Sequence, residues 1–296
     1  MVRFCKTNAL GEVRMIVNRK LRKTLVWAFL ALLIAGLVYA GVELMGQANK
    51  NAADAGSTGA DMEMASLDTI KQSQTSKVNW NEERSLRKKI DQADSSYRAQ
   101  VEKARSDIAS TGKVSDGTRA AGLASAEKFR QANDTYAAFW DKNNGKSRAK
   151  LAREAGLARV KNADMTFNDV NSDKIKAYNE QQDALTKARK DYLAEAKSDV
   201  SASDRADIKR TLTPRLNKMT GDVNNLVSSI TSILDQVKSQ AGGMGVGAIG
   251  GCAKQAATSG PSNGASALLS PLMGLLNMVK GLGSNVNGLM SDLSSL

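Results

Sequence analysis

The chain has 296 residues, 4% of them aromatic, only three prolines, no histidine and a net charge of +12. That length fits one or two domains, and so few aromatics argue against a sheet protein and for long helices with narrow apolar seams. The missing histidine excludes Ser-His-Asp and Cys-His catalysis, histidine metal sites and a histidine pH switch.

Residues 1–23 read as a basic cytosolic N-terminus, with seven Lys/Arg against the single acid Glu12 and the cluster Arg19-Lys20-Leu21-Arg22-Lys23 at its end. From Thr24 to Val42 nineteen residues carry no charge. As a helix they span about 28 Å, close to the hydrocarbon thickness of a bilayer. Trp27 and Tyr39 stand near the two ends, where amphipathic rings favour the headgroup zone. Residues 24–45 are therefore expected to be a transmembrane signal-anchor. The positive-inside rule puts the N-terminus in the cytoplasm of a bacterial cell and the bulk of the chain in the periplasm or outside. A cleaved signal peptide is the competing reading: Val38-Tyr39-Ala40 resembles a cleavage site, and Met15 is an alternative start. Against it, the apolar run exceeds the roughly 7–15 residues of a signal core.

Residues 46–75 are rich in Ala, Gly, Ser, Asn and Asp and lack apolar periodicity, so they read as a juxtamembrane linker, flexible or weakly helical. Residues 76–240 carry the periodic patterns of a helical bundle or coiled coil. A first seam runs through Leu86, Ile90, Ala93, Tyr97, Val101, Ala104 and Ile108, ended by Thr111-Gly112-Lys113. A second helix starts near Ser115, with Leu123, Ala126, Phe129, Asn133, Tyr136 and Trp140 on one face, and stops at the turn Asn143-Asn144-Gly145. These two form an antiparallel hairpin. A third, less regular segment carries Leu151, Ala155, Ala158 and Val160. Asn171 or Ser172 caps a fourth, with Ile175, Tyr178, Gln182, Leu185, Ala188 (or Arg189) and Tyr192 along its seam. Ser203 caps a fifth, which shows Ile208, Leu212, Leu216, Met219, Val223, Leu226, Ile230, Ile233 and Val237, with Pro214 expected to kink or split it. Seams this thin do not stabilise isolated helices in water, so the helices must pack on one another or on partner chains.

Residues 241–296 form a Gly-rich hydrophobic tail. Gly247 and Gly251 have the spacing that permits close helix contact. Leu268, Leu272, Leu275, Leu276 and Val279 fit a short amphipathic helix ended by Gly281 or Gly283, and Val286, Leu289, Met290 and Leu293 fit a second. The tail reads as a segment that covers the bundle or joins an oligomer, with insertion into lipid as the sharper alternative.

No residue qualifies as catalytic, cofactor-binding or metal-ligating. Walker, GxSxG, dinucleotide and EF-hand patterns are all missing. Charges alternate in sign, as in Lys187-Ala188-Arg189-Lys190-Asp191, which marks solvated helix faces rather than a nucleic-acid stripe. The two cysteines, Cys5 and Cys252, lie on opposite sides of the expected span and cannot pair. Trp80 and Trp140 are candidate partner anchors, with core packing the better reading of Trp140. The expectation is an all-α, non-catalytic single-pass membrane protein. It touches lipid through 24–45 and acts as a scaffold, adaptor or oligomerisation module in the cell envelope, as a homo-oligomer or with an envelope partner. The alternative is a membrane-active or secretion-system-associated protein whose tail, 241–296, makes a second membrane contact or docks a translocation machine.

Overall fold

A computed structural model describes residues 43–71, 78–243 and 262–296. All regular structure among the described residues is helical. Helix α1 is seen over residues 43–67. It is followed by α2 (Trp80–Thr111), α3 (Asp116–Lys142), α4 (Lys146–Phe167), α5 (Ser172–Asp199), α6 (Ala202–Gly243) and α7 (Ser262–Ser294). The chain divides into two units, 1–45 and 46–296, and the bundle described below is the second.

The boundaries follow local chemistry. Asn79 Oδ1 accepts the Asn81 and Glu82 amides at the start of α2, and Ser115 and Asn171 do the same for α3 and α5. Gly112 ends α2 in the left-handed conformation at φ 77°, its amide donating to the Ile108 carbonyl. Asn144, at φ 58°, turns the chain between α3 and α4. The cap of α6 is Ser201 rather than Ser203. Its hydroxyl accepts the Asp204 amide at 3.0 Å and donates to the Asp204 carboxylate at 2.6 Å. Pro214 neither ends nor splits α6, which runs on through it. Leu212 and Leu216 on either side are fully buried, and that packing offsets the hydrogen bond the proline removes.

The largest difference from expectation lies in the described part of the expected linker, residues 46–71. The stretch 46–67 is helix, and from Asn51 to Leu67 only Asp54, Ser57 and Asp61 escape burial. This stretch of α1 is the axial strut of the bundle. Its small side chains are the reason: Gly56 and Gly59 lie so close to Thr166 and Tyr178 that no Cβ fits, while Ala53, Ala55, Ala60 and Ala65 let neighbouring helices close around them. Small residues stabilise a helix here through backbone proximity, which hydropathy does not register.

Around α1, α3 packs on α2 and α4, α5 on α4, and α7 on α5 and α6. Asn51 Oδ1 accepts from Ser229 and Asp68 pairs with Arg215, so α1 and α6 run antiparallel. Lys209 reaches the Ser294 carbonyl, and Gly283 abuts Val223, so α6 and α7 are antiparallel too. One end of the bundle thus holds Gly46, the 112–115 turn and the beginning of α7. The other holds the end of α1, the 143–145 turn and the chain's last residues.

The tail also differs from expectation. Residues 262–294 form one helix passing through Gly281 and Gly283, not two short ones. Leu272, Leu275, Met278, Val279, Leu282, Val286, Leu289 and Leu293 are all buried along it, a continuous seam that carries the helix across both glycines. The expected span at 24–45 lies outside the described residues except for its last three, as do Gly247, Gly251, Cys5 and Cys252. Among the described residues no helix is long and apolar enough to cross a membrane.

Candidate functional site

Three arginines on the helices around α1 are buried, and each faces a different environment. Arg159 of α4 is fully buried at the bundle's centre. Its Nε donates to Glu63 of α1, its Nη2 to the Ala60 carbonyl at 3.2 Å, and its Nη1 sits 2.8 Å from the Asp94 carboxylate of α2, in ion-pair contact but out of hydrogen-bond line. The guanidinium lies between two rings, with its Cζ 4.0 Å from the Phe129 centroid and 4.5 Å from that of Tyr97. Asn162, one turn on, donates to the Gly56 carbonyl at 2.8 Å and to Glu63 at 3.2 Å.

This polar layer separates two apolar clusters. Met62, Leu67, Leu86, Ile90 and Leu151 belong to one, and Ala53, Val101, Ala104, Ile108 and Phe167 to the other. Burial pushes the Glu63 carboxyl up to about 7, against the pull of Arg159 and the hydrogen bonds it accepts. Burial likewise raises the Tyr178 hydroxyl well above its ordinary value. These groups are sealed: Glu63 and Arg159 are each 0% exposed. A layer of this kind sets helix register, because any slip strands a charge in the apolar interior.

Arg148, at the start of α4, ties the far end together. Its Nε donates to the Lys71 carbonyl at 2.7 Å, and its two terminal nitrogens reach Glu195 at 3.1 Å and Asp199 at 2.5 Å. Trp140 and Tyr192 flank it at 5.3 and 5.2 Å. Tyr192 in turn accepts the Lys71 amide at 2.8 Å. Trp140 is thus a core residue, whereas Trp80 is 44% exposed.

Arg189 of α5 is buried against α7, and none of its three guanidinium nitrogens has a hydrogen-bond partner among the described residues. The Asp292 carboxylate stands 3.8 Å away, and burial lowers the guanidinium to about 10.

Two surface clefts are polar. One, of about 600 Å³, lies at the far end between Asp68, Trp80, Arg87 and Ile208. The other, of about 800 Å³, runs over the exposed edge of α1, walled by Arg98 and Arg105 of α2 and by Lys218 and Asp222 of α6. Arg98 and Arg105 are engaged with Asp61 and Asp54 of α1. Among the described residues no cluster of carboxylates or thiols has metal-binding geometry.

Of the buried arginines the periodicity offers only Arg189, as the alternative to Ala188; Arg148 and Arg159 are not singled out by sequence. Arg159 and Arg189 each stand beside an apolar seam position, Ala158 and Ala188, and that adjacency was the available signal. No protein-family model, curated protein or solved structure matches this chain.

Proposed function

We propose that this chain is a non-catalytic scaffold or adaptor of the bacterial cell envelope, tethered to the inner membrane by residues 24–45. The N-terminus is cytoplasmic and the bundle lies on the far side, engaging further copies of itself or an envelope protein. The observation that carries the reading is where the perturbed groups lie. Strongly shifted ionisable groups usually collect in accessible clefts when they do chemistry. Here Glu63, Tyr97, Tyr178 and Arg159 are sealed between helices, with Glu63 and Arg159 paired to each other. The outer faces instead carry short-range pairs such as Arg130 with Glu127 and Asp134, the pattern of a solvated helical surface.

A reporter pair fused after Leu296 tests the topology. An alkaline phosphatase fusion is expected to be active and a cytosolic reporter silent, with the chain resisting alkaline extraction from membranes. Activity of the cytosolic reporter alone overturns the tether. Photocrosslinking from Trp80, in intact cells, is expected to capture either a second copy or a discrete envelope protein. A purely monomeric result overturns the scaffold assignment.

A further inference from the structure

We propose that α7 is a reversible lipid-surface helix: docked on α5 and α6 in the bundle, it opens and lays the same apolar seam into the interface of a bilayer.

The first observation is charge. In the 33 residues of α7 only Lys280 and Asp292 are ionised, whereas the 32 residues of α2 carry thirteen Asp, Glu, Lys and Arg. The exposed stripe of α7 runs Met273, Asn277, Lys280, Ser284, Asn287, Ser291 and Ser294, alternating steps of four and three. A helix committed to water on its outer face carries charges there, as α2 does. A stripe of Ser and Asn with the single charge of Lys280, opposite a continuous Leu/Val/Met seam, suits a headgroup layer, with apolar burial driving attachment.

The second observation is beneath the helix. Closing α7 over Arg189 buries a cation whose nitrogens, among the described residues, all lack hydrogen bonds, while the Asp292 carboxylate 3.8 Å away also lacks a hydrogen-bond partner there at its facing oxygen, Oδ2. Gly288 of α7 faces the guanidinium, its Cβ position 4.0 Å from Nη2. Arg148 and Arg159, by contrast, donate several hydrogen bonds each. The docked state therefore carries a desolvation penalty that opening relieves, because water then reaches the guanidinium. Eight large apolar side chains hold α7 down and one stranded charge pushes it off. In water the seam wins, and a second apolar phase tips the balance.

The third observation is placement. Since α1 and α7 each run antiparallel to α6, the start of α7 lies at the bundle end that carries Gly46. The start of α7 and the covalent link at Gly46 to the proposed tether thus share one bundle end. The proposal rests on the tether argued above in this respect alone.

The test uses the full chain with Cys5→Ser and Cys252→Ser, and an environment-sensitive fluorophore on Met290→Cys. Met290 packs on the core at the bundle end opposite Gly46. The protein is reconstituted in phosphatidylcholine/phosphatidylglycerol vesicles with and without a nitroxide-labelled lipid. Quenching by the nitroxide lipid is expected, and its absence overturns the proposal. Arg189→Leu removes the stranded cation and is expected to cut the quenched fraction at least about threefold. Unchanged or greater quenching in that variant overturns the role given to Arg189. Should that variant not fold, the parent's own quenching still decides. Resistance to alkaline extraction is read in parallel and reports the tether alone, so the two readings fail separately.

Discussion

Gly122→Ala isolates how tightly α3 and α4 meet. A methyl at position 122 would stand 2.5 to 2.6 Å from three ring carbons of Phe167, where carbon pairs rest at about 3.5–4.0 Å. Phe167 is 1% exposed and meets Tyr97 edge-on with centroids 5.7 Å apart, so the ring cannot retreat without breaking a second contact. Alanine gains about 0.8–1.0 kcal/mol over glycine in a helix interior. Against this, overpacking costs about 1–3 kcal/mol and loss of the edge-on pair about 0.5–1.5 kcal/mol. With an overlap near 1 Å the upper parts of those ranges apply, giving a net loss of about 2–3.5 kcal/mol. Gly221→Ala, in α6 with nothing within 4 Å of its would-be Cβ, shows the propensity gain alone and is expected to stabilise by up to about 1 kcal/mol. The assay is urea denaturation followed by circular dichroism, completed as a cycle with Phe167→Ala. In that background the methyl enters vacated space, and Gly122→Ala is expected to stabilise. A neutral or stabilising effect in the parent, or an equal cost in both backgrounds, would refute the steric argument.

Arg159→Met strands Glu63 and Asp94 without their cation and is expected to cost about 3–5 kcal/mol in the same denaturation assay. Arg159→Lys is expected to recover only a minor part, because one ammonium cannot serve Glu63, Asp94 and the Ala60 carbonyl together. Glu63 faces Arg159 from α4, Asp94 and Tyr97 from α2 and Tyr178 from α5, and its carboxyl is raised from 4.5 to about 7. The folded state therefore holds the extra proton in that window, and Glu63's contribution to stability is full below about pH 4.5 and is lost as pH rises through about 7, by at most on the order of 3 kcal/mol. The measurement is the stability difference between the parent and Glu63→Gln at about pH 5 and about pH 8. A difference that does not move towards the Gln variant at the higher pH removes the effect.

Much of the fold was legible because large apolar residues mark time along a helix. Every expected seam residue of α6, from Ile208 to Val237, is buried, as are all six of α5. The turns at Gly112 and Asn144 were legible for a related reason, since glycine and asparagine tolerate a positive φ. What escaped is burial that owes nothing to side-chain size. In α1, Gly56 and Gly59 are buried because side chains of α4 and α5 press against its backbone there, and a stretch of Ala, Ser and Gly looks the same whether it spaces or packs. The polar layer escaped because Asp94 and Arg159 count as surface residues until their partners are known. Asp94 is buried where Ala93, which still packs on the core, was the expected seam residue, and its carboxylate pairs with Arg159. On α7, glycines that stop an isolated helix were outweighed by the groove that receives it.

The axial position of α1 has a consequence for how the molecule assembles. Its cross-links reach Arg159 across 96 residues, Arg215 across 147 and Ser229 across 178. Pairings that distant in the chain close slowly, while the hairpins of α2 to α5 join neighbours in sequence and close early. A ribosome or translocase delivers α1 ahead of all of them, with little apolar surface to hold it in helical form by itself. The strut must therefore wait, unstructured and open to proteases or chaperones, until α6 has arrived. Refolding is expected to show a late phase in which protection of residues 51–67 appears after that of α3 and α4.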